Sequence, residues 1–279
     1  MREFCDLHTH SVFSDGTCTP TELIEKGEKI GLSAIALTDH NTVAGLPEFL
    51  AAAKGKKIVP VPGVEISTDY NGTELHILGL FLPEKAFDAV MEFVNAYNRR
   101  KEKSNEELIS SLQAAGYRVD LAEIKAETPN GHVNRAHIAA TLVKKGYIGS
   151  VQEGFSGLLS EKAGYYKPPK RQTAFETIAF LRSLGAVPVL AHPFLNLTAD
   201  ELCEFLEEAK GYGLVGMETV YSRYSDETAK KAAEIALQYA LKESGGSDYH
   251  GENKPDIDLG IGTGNLKIPS RFFEELRLQ

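Results

Sequence analysis

His8 and His10 stand one residue apart near the start of a chain that has only eight histidines in 279 residues. Side chains at i and i+2 of an extended segment point the same way, so both imidazoles can reach one ion. Asp15 follows in the next loop, beside Gly16. His40 comes directly after the apolar run "AIALTD", and His192 directly after "VPVLA". Asp248 and His250 lie together in "GGSDYHG". Glu65 and His76 flank Asn71-Gly72, a hairpin signal. A two-residue loop there sets His76 opposite Ser67 and diagonal to Glu65, near enough for both side chains to meet one ion.

Six imidazoles and three carboxylates are thus candidate metal ligands. Nitrogen and oxygen donors without sulfur suit zinc, manganese or iron, and spacing does not choose among them. Nine ligands exceed what one ion uses, so two or three divalent ions sharing a bridging Glu65 are expected. Three such ions against three carboxylates leave a formal excess of positive charge, which favours an anionic substrate such as a phosphate ester. Metal pairs activate water and clamp the attacking and leaving oxygens during displacement at phosphorus.

The elements that must position these groups read as α/β. Short apolar runs at Phe4–His8, Ala34–Thr38, Ile58–Ile66, Glu74–Leu82, Val187–Ala191, Gly216–Val220 and before Ser247 alternate with amphipathic stretches. Most of the candidate ligands fall where one of these runs gives out, and in a parallel barrel such strand ends converge on one mouth. Seven strands are expected, the fourth antiparallel because of its hairpin. Helix starts are marked by Thr19-Pro20-Thr21-Glu22, Thr173…Glu176 and Thr198…Glu201, each a capping box. Residues from about Phe87 to Leu159 carry a helical pattern with stops at Gly116 and Gly146. A barrel from 1–97 and 171–279, with a helical insertion at 98–170 covering the mouth, is the expected domain arrangement.

Composition sets outer limits. Apolar residues at 42% and charged residues at 25% are ordinary for a globular protein. A net charge of −9 argues against a groove for long duplex nucleic acid, while leaving room for a local basic pocket. Cys5, Cys18 and Cys203 are odd in number and unclustered, which fits small buried hydrophobes better than disulfides or thiolate ligands. No apolar run approaches a membrane span and "MREFCDLHTH" does not read as a signal peptide, so a soluble, cytoplasmic protein is expected. Oligomeric state is not encoded legibly.

The motifs "DLHTHSVFSDG", "ALTDHNT", "PGVEIS", "HILGL", "LAHP" and "GGSDYHG" occur in order across nearly the whole chain. Together they resemble the PHP (polymerase and histidinol phosphatase) family. The resemblance implies a distorted seven-stranded (β/α) barrel holding up to three metals. It assigns one metal to His8, His10, Glu65 and Asp248, a second to Glu65, His76 and His192, and a third to Asp15, His40 and His250. An Asp at position 15 resembles the branch of stand-alone phosphoesterases acting on nucleotides. That branch includes nucleoside 3′,5′-bisphosphate phosphatases, some of which trim short RNA from the 5′ end. "GHVNRAHIAATLVKKGY" resembles the branch's Ser-Arg-Pro-His segment, with Asn134 and Ala136 replacing Ser and Pro. This implies that Arg135 grips a substrate phosphate, its planar fork suiting bidentate contacts, with His137 assisting.

"GYYKPPKR" adds Lys167, Lys170 and Arg171, a small basic cluster where the chain returns to the barrel, and Lys167 and Arg171 are expected to bind substrate. His132 and Glu218 are weaker candidates, Glu218 as a partner that orients a ligand. After "LAHP" the branch commonly continues with Gly and a basic residue, whereas Phe194-Leu195-Asn196 stands here. The expected activity is hydrolysis of small, nucleotide-derived phosphomonoesters by hydroxide held between metals, with Arg135, Asp15 and His250 as catalytic groups. A histidinol-phosphate phosphatase would carry His at position 15. An amidohydrolase barrel would fit "PGVEIS" and "GGSDYHG" less well. A non-catalytic metal-binding module, as attached to polymerases, is the reading of another class.

Overall fold

The computed structural model describes residues 3–128 and 133–279. Its strands are β1 (Ala34–Leu37), β2 (Val59–Pro62), β3 (Val64–Tyr70), β4 (Thr73–Leu80), β5 (Gln172–Thr173), β6 (Val187–Leu190), β7 (Gly216–Tyr221) and β8 (Lys242–Gly246). The α-helices are α1 (Pro20–Ile30), α2 (Leu46–Ala52), α3 (Phe87–Ala114), α4 (Leu121–Glu127), α5 (Arg135–Lys144), α6 (Val151–Ser156), α7 (Ala174–Ser183), α8 (Ala199–Ala209), α9 (Asp226–Gln238) and α10 (Ser270–Arg277). All three capping boxes form, at Thr19/Glu22, Thr173/Glu176 and Thr198/Glu201. Gly31 closes α1 in the left-handed region at φ 83°, a conformation that favours glycine.

The strands form a mixed six-stranded sheet, in the order β5-β3-β4-β6-β7-β8, and a parallel pair, β1-β2. Among the described residues there are eight strands rather than seven, in two sheets. The run expected over 58–66 is divided at Gly63, and β5 is a two-residue strand beyond the expected set. A Cβ at Gly63 would meet the Thr38 side chain at 3.0 Å and the Gly79 carbonyl at 3.1 Å, so any side chain there would have to push one of them aside. The run expected over 4–8 pairs through single bridges, Asp6 with Ile35 and Thr9 with Tyr249, and not as a ladder. Leu7 donates its amide to Gly245, and Asp6 donates to Ala34, so this segment lies between β8 and β1. The amides of Gly63 and Glu65 bond to the carbonyls of Leu37 and Asp39, joining the pair to the larger sheet.

β3 and β4 are antiparallel with Ser67 opposite His76, the register expected from a two-residue Asn71-Gly72 loop. Both loop residues have positive φ, 52° and 85°, the requirement of a type I′ turn.

Side chains alternate between two cores. Ile35, Leu37, Leu75, Ile77 and Leu190 join the cluster under the surrounding helices. Ala34, Ala36, Leu78, Leu80, Val187 and Val189 join a second cluster with Phe272, Phe273 and Leu276 of α10. Strands buried on both faces must be apolar at successive positions, which is why these runs read as continuous hydrophobic stretches. Glu65 and His76 share the second face, where it turns polar. A third cluster, with Leu108, Leu112, Ile124, Ile138, Leu142 and Leu159, belongs to the far part of α3 and to α4–α6.

Candidate metal centre

Glu65 is fully buried and touches five imidazoles. Its Oε2 lies 3.2 Å from Nε2 of His8, 3.2 Å from Nε2 of His10 and 3.0 Å from Nδ1 of His40. Its Oε1 lies 2.7 Å from Nδ1 of His76 and 3.1 Å from Nε2 of His192. Asp248 joins the first side of this cluster, its Oδ1 3.2 Å from Nε2 of His10 and 3.7 Å from Nε2 of His8. Asp15 stands on the third side, its Oδ1 3.2 Å from Nε2 of His250 and 3.9 Å from Nε2 of His40. The fold therefore brings all nine expected groups together.

The grouping departs from the expected partition in two respects. His10 Nδ1 lies 3.9 Å from Asp15 Oδ1, which joins it to the third set as well as the first. His40 faces Glu65 as well as Asp15, so it stands between two of the three sets.

Donor atoms within 4.8 Å of one another form three groups suited to an ion: His10/Asp15/His40/His250, His8/His10/Glu65 and His40/Glu65/His76. His8 and His10 point Nε2 atoms at each other across 3.1 Å. Two nitrogens bound to one zinc-like ion at about 2.0–2.1 Å lie roughly that far apart. Asp15 Oδ1, His40 Nδ1 and Glu65 Oε2 are buried with no hydrogen-bond partner. His40 Nδ1 and Glu65 Oε2 approach to 3.0 Å without the geometry of a hydrogen bond. Buried polar atoms left without partners cost about 1–3 kcal/mol each, and lone pairs converging on common points are what cations satisfy. The residues fit divalent metal ions.

Charge within the cluster follows from burial against opposite neighbours. Burial pushes Glu65 up, yet His40, His8 and His76 outweigh it and hold the carboxyl well below the usual range. Asp15 is held low in the same way, by His250 and His40 against burial. Asp248 is held low by Lys254 and His250 against burial. Burial opposes protonation of His10 and His76, but Asp248 and Glu65 lift the former to about 9, and Glu65 and Glu74 lift the latter to about 10. His40, where burial wins, falls to about 3. The carboxylates are ionised as a cation requires, and a cation binding here would take the place of the protons on His10 and His76, because a ligating imidazole is neutral.

A layer of groups behind the candidate ligands fixes them. Glu218, fully buried, accepts from the His192 amide at 2.7 Å and pairs with Nδ1 of His8 at 3.0 Å. This is the orienting role expected for it. Asp39 accepts from the amide and hydroxyl of Ser11 and from the Ser14 hydroxyl, pinning the loop that carries Asp15. Asp6 accepts from Ser247 and Gly260, tying the first segment to the chain before Asp248. Tyr221 and Lys254 both donate to Oδ2 of Asp248, at 2.8 and 2.6 Å. Sequence reasoning missed these last four. Asp39 alone carried a local signal, its place immediately before His40. His192 and Asp248 have φ of 27° and 56°, strained values for residues with a side chain, at the positions where the strands end.

The cluster opens into a cavity of about 1010 Å³. Arg135 and Arg171 line it. Arg135 opens α5, its guanidinium 4.0 Å from the centre of the Tyr166 ring and 5.0 Å from that of Phe155. Arg171 Nη2 donates to Glu74 Oε2 at 2.6 Å. His137 and Lys167 do not line the cavity. His137 sits in the capping box of α5, where Nδ1 accepts from the Asn134 amide, because the third helical position turns it back on the helix start. Lys167 is exposed, with its carbonyl bonded to Ser104. Lys170 is likewise exposed. His132 lies outside the described residues. In the loop after His192, Leu195 faces the cavity and Asn196 donates to the Glu74 carbonyl at 2.8 Å.

The family described as PHP domain matches residues 6–166. A protein of Haemophilus influenzae named 5′-3′ exoribonuclease is 33% identical over 254 residues, spanning 90% of this chain and 91% of its own. A Chromobacterium violaceum protein named 3′,5′-nucleoside bisphosphate phosphatase is 29% identical, spanning 91% of this chain and 90% of its own. A crystal structure from Bifidobacterium adolescentis, described as a metal-dependent phosphoesterase, superposes with a TM-score of 0.86 at 27% identity. It covers 98% of this chain and 95% of that one.

Proposed function

We propose, from the premise that the chain belongs to the PHP domain family, that it is a metal-dependent phosphoesterase acting on small, nucleotide-derived phosphomonoesters. The observation that carries this reading is Glu65, with Oε2 unpartnered, set among five imidazoles, three of which, His40, His76 and His192, line a cavity that Arg135 and Arg171 also line. In our assignment His8, His10, Glu65 and Asp248 hold one ion, Glu65, His76 and His192 a second, and Asp15, His40 and His250 a third. Manganese, zinc and iron all suit this donor set. The ions, when bound, supply an activated water and polarise the phosphoryl oxygens.

The chain's own groups do the rest. Glu65 spans two sets and fixes their spacing. Arg135 offers its fork to phosphate oxygens while Tyr166 and Phe155 hold its plane. Arg171, braced by Glu74, adds charge to the same wall. Asp15 or His250, once released from its ion, would pass a proton to the leaving oxygen, a role that their position on the cavity wall supports. The names of the Haemophilus and Chromobacterium relatives support a nucleotide-derived ester, a nucleoside bisphosphate or short 5′-phosphorylated RNA.

The same reading gives the architecture its function. The bridges of the first segment to β1 and to the chain after β8 support a distorted seven-stranded barrel, with β2 and β3 as one broken strand and β5 as an addition. The third core supports reading residues 98–170 as a cap over the mouth.

Phosphate release should be measured with manganese from nucleoside 3′,5′-bisphosphates, 5′-monophosphates, histidinol phosphate and short 5′-phosphorylated RNA. Turnover of nucleotide substrates is expected, lost on chelation and restored by manganese. A metal-free His8→Ala/His10→Ala variant that retained the full rate would falsify the assignment.

A further inference from the structure

We infer that Glu74 is a positioning residue of the candidate metal centre, holding the His76 ring by Nε2 so that Nδ1 stays turned to Glu65 for ion binding. The inference rests on the ion assignment of the reading above and deepens it, giving the His76 set an orienting carboxylate of its own.

Glu74 and His76 stand two residues apart on β4, so their side chains leave the same face of the strand. The His76 ring lies between two carboxylates. Its Nδ1 is 2.7 Å from Glu65 Oε1, and its Nε2 is 3.4 Å from Glu74 Oε1. An imidazole that ligates through one nitrogen carries its proton on the other, and an acceptor at that proton fixes both the tautomer and the ring plane. Glu65 is shared by two of the assigned sets, so Nδ1 is the nitrogen turned to the ions and Nε2 the one that donates to Glu74.

Glu74 is itself held on two further sides. Its Oε2 accepts from Arg171 Nη2 at 2.6 Å, and its carbonyl accepts from the Asn196 amide at 2.8 Å. The Arg171 side chain is 8% exposed and that of Glu74 30%, so the pair is sheltered from the screening that weakens surface ion pairs. Asn196 belongs to the loop that follows His192, the remaining member of the same set. His8 shows the corresponding arrangement, with Nδ1 3.0 Å from Glu218 and Nε2 3.2 Å from Glu65. The Glu74 contact is the longer of the two, which places its contribution at the lower end of the range for such partners.

The competing explanation is that Glu74 only anchors Arg171 and the segment leading into β5. Glu74→Met and Arg171→Met both break the ion pair, but only the first removes the acceptor facing His76. The full-length protein, stripped of metal, is titrated with manganese in a calorimeter, and the stability of each variant is read by denaturant titration in chelator. Glu74→Met should weaken manganese binding roughly 10-fold, and Glu74→Gln should recover part of the loss through its amide oxygen. Arg171→Met should bind manganese as the wild type does, although its stability falls as much as that of Glu74→Met. Wild-type affinity in Glu74→Met overturns the inference. So does an equal loss in Arg171→Met, which would reduce Glu74 to an anchor. Should Glu74→Met fail to fold, Glu74→Gln carries the comparison, with a smaller loss expected and wild-type affinity again decisive. The measurement needs no substrate. A protein that shows this pattern of manganese binding yet releases no phosphate would sink the hydrolase reading alone, and phosphate release with unaltered affinity in the Glu74 variants would sink the inference alone.

Discussion

Glu218 touches no expected substrate position, yet it holds two candidate ligands through one carboxylate, His8 by its ring and His192 by its amide. Orienting partners of this kind typically contribute 10- to 100-fold in metal affinity. Glu218→Gln should raise the manganese concentration for half-maximal activity by roughly that factor, with much of the rate recovered at saturating metal. A metal titration of activity checks this, and an unshifted midpoint would remove Glu218 from the orienting set. The nine ligand candidates were legible in the sequence because eight follow strand ends or a hairpin register and Asp15 sits in the loop directly after the first run, all of which local pattern specifies. Asp39, Asp6, Tyr221 and Lys254 were not, because their roles depend on partners brought near only by the fold. His137 misled for the opposite reason. Its type suggested chemistry, but a helix start already claims its ring nitrogen.

Between elements, β8 lies tightly against the segment carrying His8. A Cβ at Gly246 would lie 2.1 Å from the His8 Cβ and 2.8 Å from its amide nitrogen. Glycine is required there for proximity rather than for a positive φ. Gly246→Ala should cost about 1–3 kcal/mol in a denaturant titration and weaken manganese binding as His8 is pushed aside. Unchanged midpoints in both measurements would show that the segment yields without consequence. The sequence marked the helices well, since capping boxes are local chemistry. It marked the strands less completely. β5 is too short to have a period, and the break at Gly63 inside "VPVPGVEIS" follows from contacts with Thr38 and Gly79. The first segment read as a strand because it is apolar and extended, but only single bridges attach it on either side.

Across the whole molecule, a net charge of −9 coexists with a cavity wall bearing Lys101, Arg135 and Arg171. These three come from α3, α5 and the approach to β5, and they share the lining with Arg223 and Lys254 and with carboxylates such as Glu74, Glu252 and Asp256. Ions bound by elements far apart in sequence should also stabilise the chain as a unit. For one site at a hundredfold excess over Kd the gain is about 2.7 kcal/mol. Removing metal with excess chelator should lower Tm, and added manganese should restore it in scanning calorimetry. A Tm indifferent to both treatments would mean that the nine side chains hold their places unaided. No described helix is long and apolar enough to cross a membrane.

The unbroken course of α3 carries a further consequence. It spans 28 residues from the edge of the sheet into the third core, about 42 Å at 1.5 Å per residue, with no glycine or proline along it. Such a rod transmits phase. One residue added ahead of Lys101 would rotate everything beyond it by about 100° and advance it by about 1.5 Å, swinging the Lys101 side chain off the cavity wall it now lines. Four added residues would almost restore the facing direction while lifting it by roughly 6 Å. Grafting the insertion of one relative onto the barrel of another is thus a problem of angular matching, to be solved at the junction before any loop is redesigned.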